Sequence, residues 1–72
     1  MADPARVALE AELEQLELEE REVSLRRRHL HERLDRGFPN ETLVEEEKRV
    51  SALRKELHVK IDVLRARLEL MG

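Results

Sequence analysis

Cysteine is absent from this chain of 72 residues, so neither a disulfide nor a thiolate metal site can form, which agrees with a reducing compartment. Aromatic residues are reduced to Phe38, and glycine and proline number two each. A compact β or α/β domain needs bulky interior side chains and frequent turn residues, so this scarcity argues against any layered sheet fold. No apolar run approaches the roughly 18 residues of a membrane span, and no basic-then-apolar leader opens the chain, so a soluble cytoplasmic protein is expected. A single chain this short buries only a thin core, which predicts that it works together with a partner.

What the sequence has in abundance is charge, at 43% of residues, interleaved with leucine and alanine in the manner of long amphipathic helices. The net charge of −3 conceals an uneven layout: residues 1–20 hold one arginine against seven acids, residues 21–36 six bases against three acids, and residues 48–67 seven bases against two. An anionic ligand is drawn to the middle of such a molecule, whereas the acidic end repels nucleic acid. The basic runs also lack the interleaved aromatics of a nucleic-acid groove, so direct nucleic-acid binding is not expected.

Asp3-Pro4 reads as an N-cap followed by proline at the first helical position, where its missing N–H costs nothing. Gly37 and Pro39 end the first helix, and a second begins near Asn40, or at Thr42 with Glu45 completing a capping box. The spacing predicts helix one over about 4–36, a turn at 37–40 and helix two over about 41–71. Leu9, Leu13, Leu16, Val23, Leu30 and Leu34 follow a heptad rhythm, as do Leu43, Val50, Leu57, Ile61, Leu64, Leu68 and Met71. The connection is too short for anything but antiparallel neighbours, so the fold class is all-α, an antiparallel two-helix coiled-coil hairpin about 45 Å long.

Two beats of each rhythm are missing. Glu20 and Arg27 occupy them in the first helix, Glu47 and Arg54 in the second. A shift of 27 residues superposes Glu20 on Glu47, Ser24 on Ser51, Arg27 on Arg54, His31 on His58 and Asp35 on Asp62, so a Glu-x3-Ser-x2-Arg-x3-His-x3-Asp unit is duplicated. At about 100° per residue its five members share a stripe roughly 80° wide beside the apolar seam. If the hairpin is centred on Pro39, residues whose numbers sum to 78 lie level, which sets Glu20 by His58, Ser24 by Arg54, Arg27 by Ser51 and His31 by Glu47. Charged residues on a heptad seam also serve to fix register, and Glu20–Arg54 and Glu47–Arg27 pairs would do so. Register does not require serine, histidine and aspartate to repeat with them.

Paired arginines offer planar forks for phosphate or for the O6/N7 edge of guanine, serine donates to phosphate oxygens, and a carboxylate accepts the adjacent N1–H and N2–H of guanine. A cyclic dinucleotide of guanine has the two-fold symmetry and the donors that this set would match. The duplicated unit resembles the signature of the RsiG family of cyclic-di-GMP-dependent anti-sigma factors, Glu-x3-Ser-x2-Arg-x3-Gln-x3-Asp, which twin-motif members carry once on each helix of an antiparallel coiled coil. The spacing agrees in both copies over 43 residues, Glu20 to Asp62, and the departure is histidine for glutamine at His31 and His58. The resemblance implies that Glu20, Ser24, Arg27, Asp35, Glu47, Ser51, Arg54 and Asp62 contact cyclic-di-GMP, two molecules per hairpin, with His31 and His58 in the glutamine places. It also implies a WhiG-type sigma factor as the partner, sequestered when the nucleotide is loaded. Imidazole can charge near pH 6.5, unlike an amide, so binding is expected to tighten mildly in acid.

Val7, Ala11, Leu18 and Leu25 on one helix, and Ala52, Val59, Val63, Ala66 and Leu70 on the other, form second apolar stripes that suit a protein partner. The alternative is a dimerising module in which these stripes join two hairpins into a four-helix bundle, indifferent to nucleotides. Glu20/His58 and Glu47/His31 supply too few ligands for a metal, and the adjacent arginines oppose a cation, so no metal is expected. Neither is an enzyme: a two-helix hairpin has no enclosed pocket, and its backbone amides are already bonded.

Overall fold

The structure, a computed structural model, describes residues 3–37 and 40–72, so Phe38 and Pro39, the middle of the expected turn, lie outside the described residues. Two helices account for nearly all of it, α1 (Pro4–Asp35) and α2 (Glu41–Met71). Asp3 caps α1 by accepting from the Ala5 amide at 2.9 Å, with Pro4 in the first turn. Asn40 caps α2 in the same way, accepting from Thr42 at 2.9 Å, so the cap is Asn40 and Thr42 falls inside the first turn. At the other end of α1 the Gly37 amide donates to the Leu34 carbonyl, and Gly37 takes φ +81°. No atom would obstruct a Cβ there, so what reserves the position for glycine is the left-handed backbone alone.

Cross-helix contacts pair rising numbers on α1 with falling numbers on α2, which makes the hairpin antiparallel. It measures 56 × 15 × 14 Å, longer than the expected 45 Å because both helices exceed 30 residues and the caps add to them. The rod exposes 5849 Å², against about 4,700 Å² for a compact protein of its mass. Among the described residues only Leu30, Leu43, Val50, Leu57, Ile61 and Leu64 are buried, each still 3–7% exposed. Five of the six are on α2, while Leu9, Leu13, Leu16, Val23 and Leu34 of the α1 seam are half-buried. Met71, expected on the seam, is exposed at the end of the rod, where the facing seam of α1 thins to Ala5. Val7, Leu18, Leu25, Val59, Val63 and Leu70 of the outer stripes are exposed, as are Val44 and Leu53, which the pattern does not single out.

Candidate functional site

The seam is interrupted at mid-rod by two clusters of polar side chains, each drawn from both helices. In one, Ser24 donates to Glu20 Oε1 at 2.6 Å, and Arg54 Nε reaches across from α2 to donate to Ser24 Oγ at 3.1 Å. Arg54 Nε also lies 3.8 Å from Glu20 Oε1. In the other, Ser51 donates to Glu47 Oε1 at 2.7 Å, Arg27 Nε donates to Ser51 Oγ at 3.1 Å, and Arg27 Nε is 4.0 Å from Glu47 Oε1. Each serine therefore relays from the arginine of the opposite helix to the glutamate four residues before it on its own. A helix brings residues four apart onto one face, which is why the Glu-x3-Ser spacing closes this bond.

The histidines complete the clusters with a small difference between them. His31 Nε2 hydrogen-bonds Glu47 Oε1 at 3.0 Å. His58 Nε2, itself buried, stands 3.1 Å from Glu20 Oε1 in a poorer hydrogen-bond direction, close enough to help hold the Glu20 carboxyl low. All four cross-helix levels expected from the sum rule, 20 with 58, 24 with 54, 27 with 51 and 31 with 47, are present. Eight of the ten candidate residues thus converge. Asp35 and Asp62 do not join them: both are exposed, a turn beyond the histidines, and among the described residues neither makes a side-chain hydrogen bond or ion pair.

Both glutamates are held in the charged form. The Ser24 hydrogen bond keeps the Glu20 carboxyl below its ordinary 4.5, aided by the nearby His58 and Arg54 and opposed by partial burial. For Glu47 the His31 hydrogen bond acts first, then Ser51, with Arg27 adding its charge. A carboxyl lowered on folding adds stability above its ordinary value and loses it as pH falls through the lowered one. Acid should therefore loosen the hairpin below pH 4.5, the ordinary glutamate value. Thermal melts taken down an acid series should show a shallower acid limb for a Glu20→Gln/Glu47→Gln variant than for the parent; equal steepness would mean that the two carboxyls are not held.

The clusters engage only part of their hydrogen-bonding capacity. Of each guanidinium, only Nε donates a hydrogen bond among the described residues, and of each glutamate only Oε1 accepts. The side chains of Arg27 and Arg54 are each 38% exposed, and among the described residues their terminal nitrogens make no hydrogen bond. Among the described residues no three histidine, aspartate or glutamate side chains converge as a metal-holding group.

One pair near the site has no counterpart in the duplicated unit. Arg65 Nη2 lies 3.2 Å from Glu17 Oε1 across the helices, and Glu17, Glu20, Arg21, His58, Ile61 and Arg65 line a hollow of about 140 Å³. The repeat gave no sign of Glu17 and Arg65; helical phase could have shown them, since both continue the motif stripe toward the open end of the hairpin. A larger groove, about 570 Å³, is lined by Arg26, Glu46, Arg49 and Leu53 away from the motif. Its greater size does not mark it as the site, because a ligand laid across two antiparallel helices would rest on an open face. No helix among the described residues is long and apolar enough to cross a membrane. No family model, curated protein or solved structure matches the chain.

Proposed function

We propose that the hairpin is a cyclic-di-GMP-binding anti-sigma factor that, once loaded, binds and sequesters a WhiG-type sigma factor in the cytoplasm. The observation that carries this reading is the symmetric placement of Arg27 and Arg54, each fastened through Nε to the serine of the opposite helix and each with a side chain 38% exposed. Two guanidinium groups, each within 4.0 Å of a carboxylate, supply what a two-fold diguanylate lacks: donors for phosphate or guanine O6/N7, and acceptors for guanine N1–H and N2–H. The motif's resemblance to the RsiG signature agrees with that chemistry, and the histidines at 31 and 58 are its departure.

Because every half-site takes residues from both helices, a ligand that binds it holds the helices in register. A ligand at a hundred times its dissociation constant stabilises the state it binds by about 2.7 kcal/mol, a large effect on so thin a core. The outer stripes, Val7, Leu18 and Leu25 on α1 and Val59, Val63 and Leu70 on α2, are thereby fixed at a set spacing for the sigma factor.

The same exposed stripes favour the second reading, a nucleotide-indifferent module that dimerises into a four-helix bundle. A cyclic-di-GMP titration followed by native mass measurement separates the two. The first predicts a hairpin that gains two dinucleotides; a dimer whose mass is the same with and without cyclic-di-GMP would overturn it.

A further inference from the structure

The repeat makes the two halves of the site alike in glutamate, serine, arginine and histidine, and then stops. Beside the half built on Glu20, Ser24, Arg54 and His58, the rod carries the Glu17–Arg65 pair. A shift of 27 residues places Val44 and Phe38 at the corresponding positions of the other half, and neither side chain can donate or accept a hydrogen bond. Arg65 lies eleven residues after Arg54, a spacing that returns it to within about 20° of the same helical phase. It shares a hollow with two motif residues, Glu20 and His58, whose Nε2 is buried and meets only the poorly directed Glu20 carboxylate, 3.1 Å away. Glu17 is half-buried and anchors Nη2 of Arg65, whose side chain is 58% exposed and whose other nitrogens donate no hydrogen bond among the described residues.

We propose that Glu17 and Arg65 are a third element of the site, present at one end only. Glu17 holds the Arg65 guanidinium, and its remaining donors take an acceptor pair on the bound nucleotide, either phosphate oxygens or the O6/N7 edge of guanine. The half-site at the open end of the hairpin therefore binds more tightly than the half beside the turn. This inference rests on the reading of the motif face as a nucleotide site.

The test is calorimetric titration of the full chain with cyclic-di-GMP, using Arg65→Ala and, as a control, Arg26→Ala. Arg26 makes a comparable cross-helix ion pair with Glu46, at 2.8 Å, away from the motif. Exposed pairs of this kind contribute little to folding, so both variants keep the hairpin. Loss of one charge-assisted fork should weaken the tighter step about tenfold in Arg65→Ala and leave Arg26→Ala unchanged. An analogue with 7-deazaguanine, which lacks N7, separates the two acceptor sources. If Arg65→Ala costs nothing further with the analogue, Arg65 reads the base; if it still costs tenfold, Arg65 holds phosphate. Equal binding of cyclic-di-GMP by the parent, Arg65→Ala and Arg26→Ala would overturn the third element while leaving the nucleotide site standing. No binding by the parent would overturn both.

Discussion

Arg27→Ala or Arg54→Ala should weaken cyclic-di-GMP binding by about a hundredfold and leave the helical content unchanged. Each guanidinium is the motif's strongest donor, and removing a charged partner from a hydrogen-bonded contact costs roughly 3 kcal/mol, which corresponds to that factor. Folding loses little by the same change. Arg27 lies at the 4.0 Å limit of an ion pair with Glu47, whose carboxylate keeps its bonds to Ser51 and His31. Arg54 likewise leaves Glu20 with Ser24. The near-symmetry of the clusters predicts similar losses for the two variants. Calorimetry beside circular dichroism checks both points. Variants that bind as the parent does would show that the arginines only zip the helices together.

Leu57→Ala should unfold much of the chain at physiological temperature. Leu57 is the most deeply buried side chain of the seam, at 3% exposure, and lies beside the cluster of Glu20, Ser24, Arg54 and His58, flanked in sequence by the last two. Truncating a buried leucine costs about 2–4 kcal/mol. A domain of this length has a total stability of about 4–10 kcal/mol, and with six buried residues this rod belongs at the low end. The midpoint of thermal unfolding should fall by more than about 10 °C. Leu70→Ala, at a side chain 89% exposed, should leave it unchanged. Excess cyclic-di-GMP should restore part of the loss in Leu57→Ala, since a ligand bound across both helices favours the folded state. Equal destabilisation by the two alanines would place the packing interface on the outer stripe instead of the seam.

Much of this molecule was legible from residue spacing. Asp3-Pro4, Gly37 and Asn40 mark the helix ends because capping is local: each involves a side chain or backbone torsion within a few residues. The cross-helix levels of the motif follow from the turn position and a fixed rise per residue, so spacing alone sets Glu20 by His58 and His31 by Glu47. Aspartate was less legible. Asp35 and Asp62 repeat with the rest, yet they sit on the outer edge of the stripe, where the other helix no longer reaches them. The alternative start of α2 at Thr42 went to Asn40, since both patterns were locally sound and only one could hold the first free amide.

The sequence by itself determined two amphipathic helices, their seam, their antiparallel order and a motif duplicated on one face. Those properties depend on periodicity and on short-range backbone chemistry. Only the tertiary structure decided that each arginine is tethered through Nε to the serine of the opposite helix, that His31 meets its glutamate in better hydrogen-bond geometry than His58 does, and that Glu17 and Arg65 pair beside one of the two clusters. Such details turn on the rotamers of long side chains meeting across two helices, where shifts of less than an ångström separate a hydrogen bond from a near miss, and no repeat in the sequence encodes them.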